Sequence, residues 1–333
     1  MTNQTSSPNS SEVDILQTFL FEKSQVRGEI VRLGPSWQTI QSRRNYPTAI
    51  KKHLGEMVAA GALLSATLKF NGTLIIQAQG TGIVRLLVVE CNANLGLRAT
   101  IKLAPNIDHS LLDETMSLAE LINPDGQGKL AITLDPENRS DGQQAYQGIV
   151  PLIHLGKPVE SIAEAMMAYM HHSEQLETHI SLACNDEFSS GILIQKLPNI
   201  GGKIRESVSQ EELLDDWQRF FLLVNTVDDH EMLSTAPQVL MQRLFADEAN
   251  YQQVMTFEAR NVHFSCQCSR KRVGNMLLML GHAEILSILE EQGRVETTCD
   301  FCGKVYEFDA VDCEQLFAAQ NLLDGMRPAQ GKH

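Results

Sequence analysis

Phe264-Ser-Cys266-Gln-Cys268-Ser-Arg-Lys-Arg272 and Thr298-Cys299-Asp-Phe-Cys302-Gly303 carry a C-x-C and a C-x-x-C pair, with thirty residues between Cys268 and Cys299. Two sequence-local sulfur pairs joined by a folding segment are the usual supply of a tetrahedral zinc site, with each thiolate about 2.3 Å from the ion. Cys266, Cys268, Cys299 and Cys302 are therefore candidate ligands of one Zn2+. Gly303 lets the backbone turn tightly behind the second pair. Val273 to Leu280 and Ala283 to Gln292 have helical apolar spacing, and Gly281 and Gly293 stand where helices stop. Arg294 to Thr298 and Lys304 to Phe308 read as a hairpin around the second pair. Four thiolates and one zinc(II) sum to a charge of about −2, which Arg270, Lys271 and Arg272, at the start of a helix, can offset.

A module of about 60 residues buries little core. Zinc in such modules contributes on the order of 10–16 kcal/mol of apparent folding energy, so loss of the metal is expected to melt it. The ion also holds its cysteines as thiolates, the form that peroxide or hypochlorous acid attacks. A disulfide inside C-x-C lies near the limit of acceptable Cα separation and is expected to be strained and easily reduced. Spacing alone leaves two readings open, a static structural zinc site and an oxidation-sensitive switch.

Upstream of the cysteines, Ser209 and Glu212 form a capping box that opens a helix through about Glu231. Its apolar face is Leu213, Leu214, Trp217, Phe220, Phe221 and Val224, and its other face is acidic; Pro237 begins a second helical piece through Ala246. Ile200-Gly201-Gly202 reads as a break, which makes 199–262 a helical linker. Before it, Val26 to Leu33 reads as a strand, and Ile50, Leu54, Met57, Val58, Leu64 and Leu68 follow Pro47 as a helix buried along one side. Thr73 to Gln79, Ile83 to Glu90 and Leu97 to Leu103 read as an antiparallel meander. Lys129 to Leu134, Ala145 to Leu152, Thr178 to Cys184 and Gly191 to Leu197 add strands, and Val159 to His172 a helix. The expected fold class is α+β: a mixed domain of antiparallel sheet and helix over 13–198, the helical linker, and a small α+β zinc-binding domain over 263–320. Residues 1–12 are expected to be a disordered tail and 321–333 a flexible one.

The chain has 333 residues, 43% apolar and 20% charged, which suits a folded protein with a sizeable core. Its net charge of −14, from 41 acidic and 27 basic residues, makes nucleic acid and anionic membranes poor partners. A metal module with Arg270 to Arg272 nevertheless keeps a structural-zinc nucleic-acid-binding protein as the alternative. The first fourteen residues lack a secretory pattern and no apolar run reaches membrane-spanning length, so a cytoplasmic location is expected. Seven cysteines in a reducing compartment favour a metal or redox role over a disulfide framework. Cys91 and Cys184 stand alone in apolar, strand-like surroundings, and Cys313 reads as a helix residue packed beside Leu316 and Phe317.

Other signals are weaker. His263 is redundant beside four cysteines, and His171-His172 read as a polar helix end. Gly80-Thr-Gly82 lacks the third glycine of a dinucleotide fingerprint. Cys299 and Cys302 in a hairpin lack the helix start that activates a dithiol oxidoreductase, so no enzyme is expected. Trp217, Phe220 and Phe221 read first as a packing face.

Cys266-x-Cys268-Ser-Arg, Leu280-Gly, Glu291-Gln-Gly and Cys299-x-Phe-Cys302-Gly-x-x-Tyr-x-Phe together resemble the zinc-binding end of the 33-kDa heat-shock protein family. The resemblance continues upstream in Gly28-Glu29, Ala66-Thr-Leu-Lys-Phe70, Tyr146-Gln-Gly148-Ile-Val150 and Ser173-Glu-Gln-Leu176-x-Thr178, and covers most of residues 14 to 320. It implies a redox-regulated, ATP-independent holdase chaperone that is inactive when reduced and zinc-bound. Oxidation would pair Cys266 with Cys268 and Cys299 with Cys302, release zinc, and unfold a metastable region over 207–262. The implied partners are unfolding client proteins and a second copy of the chain, which joins through the N-terminal domain on activation. The tail before Glu12 and Cys313 have no role in this pattern.

Overall fold

The runs Ile15–Phe21 and Val26–Leu33 form strands β1 and β2, paired antiparallel from Ile15↔Arg32 to Phe21↔Val26. The structure is a computed structural model that describes residues 13–107, 112–137, 144–198, 209–246 and 254–325. The expected tail 1–12, the Ile200-Gly201-Gly202 break and residues 326–333 lie outside the described residues. Next come α1 (Pro35–Gln41), α2 (Thr48–Thr67), β3 (Gly72–Gln79), β4 (Val84–Asn92), β5 (Gly96–Leu103) and α3 (Leu118–Ile122). They are followed by β6 (Lys129–Pro136), β7 (Tyr146–Pro151), the short hairpin β8 (Ile153–His154) and β9 (Lys157–Pro158), and α4 (Ile162–Tyr169) with a π-turn over Met170–Glu174. Strands β10 (Thr178–Cys184) and β11 (Ser189–Lys196) lead to α5 (Gln210–Val224), α6 (Asp229–Ser234) and α7 (Pro237–Leu244), then to β12 (Val254–Thr256), β13 (Arg260–Asn261) and β14 (His263–Phe264).

Two sheets result, in the orders β10-β11-β2-β1-β12, with β13 also on β1, and β14-β5-β4-β3-β6-β7. Neighbours are antiparallel except β14, which runs parallel to β5. Both sheets pack on α2: the core joins Leu54, Met57 and Leu63 to Leu16, Val31 and Leu193 of one sheet and to Ile76, Val89 and Ile101 of the other. The helix is thus buried almost all round rather than along one side. Small residues allow this; a Cβ on Gly61 would lie 2.7 Å from Val89 Cγ1, so the sheet would have to retreat.

The far face of the first sheet carries a second core. Phe19, Phe21, Val26, Ile30, Ile192 and Ile194 meet Phe220, Val224, Met232, Leu240, Met241 and Phe245 of the α5–α7 region. Phe21 and Phe220 stack with centroids 4.3 Å apart, and Phe245 stands 5.1–5.7 Å from Phe19, Phe21 and Phe220. Polar fasteners add to the seat: Ser24 Oγ donates to Asp216 Oδ2 (2.5 Å) and Arg32 Nε to the Leu233 carbonyl (2.6 Å). The Ser209–Glu212 capping box is present. Of the three aromatic residues read as a packing face, Phe220 is fully buried, Trp217 is half-buried beside it, and Phe221 is partly exposed against the His179 ring.

Helix α7 ends at Leu244 against the expected Ala246, and the end of the linker read as helical over 199–262 instead carries short strands at 254–256 and 260–261, followed by 263–264. Val254, Thr256 and Val262 suit extended backbone, and the edges of β1 and β5 supply partners that local pattern does not reveal.

The chain divides into two compact units, up to Ser265 and from Cys266. The second contains α8 (Arg270–Leu280), α9 (His282–Gln292), the hairpin β15 (Val295–Thr298) and β16 (Val305–Phe308), and α10 (Ala310–Gly325). Helices α8 and α9 meet at 106° across Gly281, whose φ is +93°. Among the described residues no single helix is long and apolar enough to cross a membrane.

Candidate metal centre

Cys266 and Cys268 precede α8, whose N-cap Ser269 accepts from the Arg272 N–H. Cys299 and Cys302 sit in the turn of the hairpin, where the Cys299 N–H donates to the Lys304 carbonyl (2.9 Å) and the Gly303 N–H to the Cys299 carbonyl (2.9 Å). Gly303 has φ +70°, the left-handed conformation that favours glycine. Beneath lies a small core of Leu277, Ile285, Val295, Tyr306, Phe308 and Cys313, with Cys268 and Cys299 packed against it. Cys313 is only 3% exposed, beside Leu316 and Phe317.

The four sulfurs lie within 4.8 Å of one another, all partly buried. Cys266 Sγ is 3.8 Å from Cys299 Sγ, and Cys268 Sγ is 3.3 Å from Cys302 Sγ. Four thiolates about 2.3 Å from one tetrahedral zinc ion would stand about 3.75 Å apart, so the set has the right size and the right donor chemistry. Its electrostatics agree. Burial pushes the Cys268 thiol up, but donors from Tyr306 and the neighbouring thiols outweigh it and bring Cys268 down to about 7. Burial raises Cys299 and pushes Cys302 up to about 12. Four simultaneous thiolates therefore need a cation among them.

A supporting shell surrounds the sulfurs. The backbone N–H groups of Phe301 and Cys302 point at Cys299, and that of Lys304 at Cys302. Tyr306 Oη donates to Cys268 Sγ at 3.1 Å, a contact that lifts the phenol itself to about 12. Sequence reasoning gave Tyr306 no role; its signal was the alternation that turns Tyr306 and Phe308 to the same face of β16. Arg270 donates to the Glu307 carbonyl and to Asp312 (2.6 Å each) and lies over the Phe308 ring, while Arg272 bonds Gln267. His263 is on β14 and is not part of the four-sulfur group. Cys91 is pushed up to about 12 by burial and Cys184 further still, which leaves both inert as nucleophiles.

The family model described as Hsp33 protein matches residues 14–309. The 33 kDa chaperonin of Methylobacillus flagellatus is 42% identical over 315 residues, 94% of this chain and 97% of that protein. That of Chromobacterium violaceum is 41% identical over 309 residues, 93% and 95% of the two chains. A crystal structure of the 33 kDa chaperonin from Thermotoga maritima has the same fold, with a TM-score of 0.70 at 19% identity over 92% of this chain and 99% of that one. A match across nearly the whole length, from β1 to the sulfur cluster, establishes that this chain belongs to the Hsp33 family.

Proposed function

We propose that the protein is a redox-regulated, ATP-independent holdase chaperone: quiet when reduced and zinc-bound, active after its cysteines form disulfides and zinc leaves. The observation that carries this reading is the gathering of Cys266, Cys268, Cys299 and Cys302 within 4.8 Å by a unit whose buried core, among the described residues, is six side chains. So small a core needs its metal to stay folded. Zinc, when bound, supplies positive charge that keeps the thiolates deprotonated.

The protein's own residues do the rest. One thiolate of a pair attacks a peroxide oxygen and becomes a sulfenic acid, and the second displaces water or hydroxide to close the S–S bond. Each pair gives two electrons, so two disulfides consume two equivalents of peroxide. All four sulfurs are neighbours in the closed cluster. Once the module opens, only the sequence-local partners Cys266 with Cys268 and Cys299 with Cys302 stay close, which supports that pairing. Loss of the module then frees α5–α7 to leave the sheet and uncover the Phe19, Phe21, Ile192 and Ile194 face to unfolding clients in the cytoplasm, with a second copy joining through the first unit. A nucleic-acid reading has less support, because Arg270 and Arg272 are hydrogen-bonded within their own module.

The test follows zinc release and suppression of client aggregation together during oxidation under mild heat. Rise of both in step is expected; equal protection before and after zinc has left refutes the switch.

A further inference from the structure

Strand β8 ends at His154, and the π-turn after α4 carries His171 and His172, so two separate elements bring three imidazoles together at the surface. His154 Nδ1 and His172 Nε2 are 3.3 Å apart. The ring centroids are separated by 5.0 Å between His171 and His172, 5.4 Å between His154 and His172, and 6.3 Å between His154 and His171. The rings meet edge to face or tilted, at 75°, 59° and 85°, as rings radiating from one point would. Among the described residues none of the three forms an ion pair with a carboxylate.

Two nitrogens bound to one tetrahedral ion at about 2.0–2.1 Å stand about 3.3–3.4 Å apart. The His154–His172 pair, hydrogen-bonded nitrogen to nitrogen at 3.3 Å, already has that spacing, so an ion can replace the shared proton without moving the rings apart. We propose that His154 and His172, with His171 as third ligand, bind a divalent transition-metal ion of the Zn2+ or Ni2+ class, separately from the sulfur cluster. Imidazole suits these ions; His171 is exposed, with its ring centroid 5.0 Å from that of His172, and joins the pair only by a change of its side-chain rotamer. An ion there ties the β8–β9 hairpin to the end of α4. Both line a cavity of about 820 Å³ whose other side includes Trp217 and Phe221 of α5, so the ion stiffens part of the seat of α5. Unlike thiolates, these ligands survive mild peroxide, and the site is open to metal in either redox state of the cysteines.

The test titrates further Zn2+ into the reduced full-length chain already carrying one equivalent, by calorimetry. His154→Ala and His172→Ala are run beside the parent and His230→Ala, a control at an exposed histidine of α6. The parent and the control are expected to take a second equivalent, and the two variants to bind it at least about tenfold more weakly, with thermal unfolding equal to the parent's before that equivalent is added. Histidine 15N resonances of the parent should shift at that same equivalent. A parent that takes no second ion, or variants that bind it like the parent, overturns the proposal. The readout is a difference between chains with identical cysteines, so failure of the sulfur cluster to hold the first ion changes the total and leaves the difference intact.

Discussion

Phe220→Ala removes a ring that is fully buried on α5, stacked on Phe21 at 4.3 Å and set edge-on to Phe245 at 5.7 Å. Truncation of a buried Phe costs about 3–5 kcal/mol, transfer and cavity together. Phe21 keeps its place in the seven-pair register of β1 on β2, so the loss falls on the seat of α5 rather than on the sheet. At 1.4 kcal/mol per factor of ten, the ratio of docked to undocked α5 drops by about two to three and a half orders of magnitude. Hydrogen exchange of the α5–α7 amides in the reduced, zinc-loaded protein reads this directly, since their opening free energy should fall by the same amount. In parallel, aggregation of a thermally unfolding client is measured without oxidant, and the variant is expected to protect where the parent does not. Exchange within about threefold of the parent refutes the packing argument. Loosened helices without client protection refute the role given to them in activation.

A chelator that strips metal from the reduced protein should unfold the 266–325 unit and loosen α5–α7 while the core around α2 keeps its melt; a second unit that stays folded contradicts metal-dependent stability of on the order of 10 kcal/mol. Tyr306→Phe removes the donor to Cys268 and should weaken zinc affinity by about 10–100-fold in a competition assay, and an unchanged affinity removes Tyr306 from the supporting shell. Glu29 on β2 is 1% exposed, its Oε2 lacks a hydrogen-bond partner, and burial raises its carboxyl to about 7 against the pull of Arg27 and Arg260. The folded chain thus keeps a proton that the unfolded chain releases near 4.5, so stability should fall as pH rises from about 4.5 to about 7, by up to about 3 kcal/mol, and level off above. Glu29→Gln should flatten that slope in urea melts at several pH values; the same slope in both chains refutes it.

The sulfur cluster and its scaffold were legible because their signals are local. Glycines at 281, 293 and 303 end elements, and two short cysteine spacings fix the donors. Strands β2, β3 and β5 and helix α7 likewise declare themselves by alternation or by a starting proline. Distant partners hid the rest. In β1 the adjacent Gln17 and Thr18 break any apolar alternation, and β12 to β14 are two or three residues each, held by edges more than 160 residues away in sequence such as Leu97 opposite Phe264. Periodicity also cannot say that α2 has a second sheet on its back, nor that a lone His154 meets His172. Tyr306 stood in the motif unexplained because its partner is a sulfur 38 positions upstream.

Arg260 and Asn261 bond to β1 in one sheet, Val262 is buried with its N–H on the Asp14 carbonyl, and His263 and Phe264 bond to β5 in the other. Five residues, ending two positions before Cys266, are thus a seam that hems both sheets. Peeling it would bare two rims at once, each a row of unmatched amides and carbonyls open to any extended polypeptide. Adhesion through the main chain takes no account of side-chain identity, which is what a binder of many different unfolded chains requires.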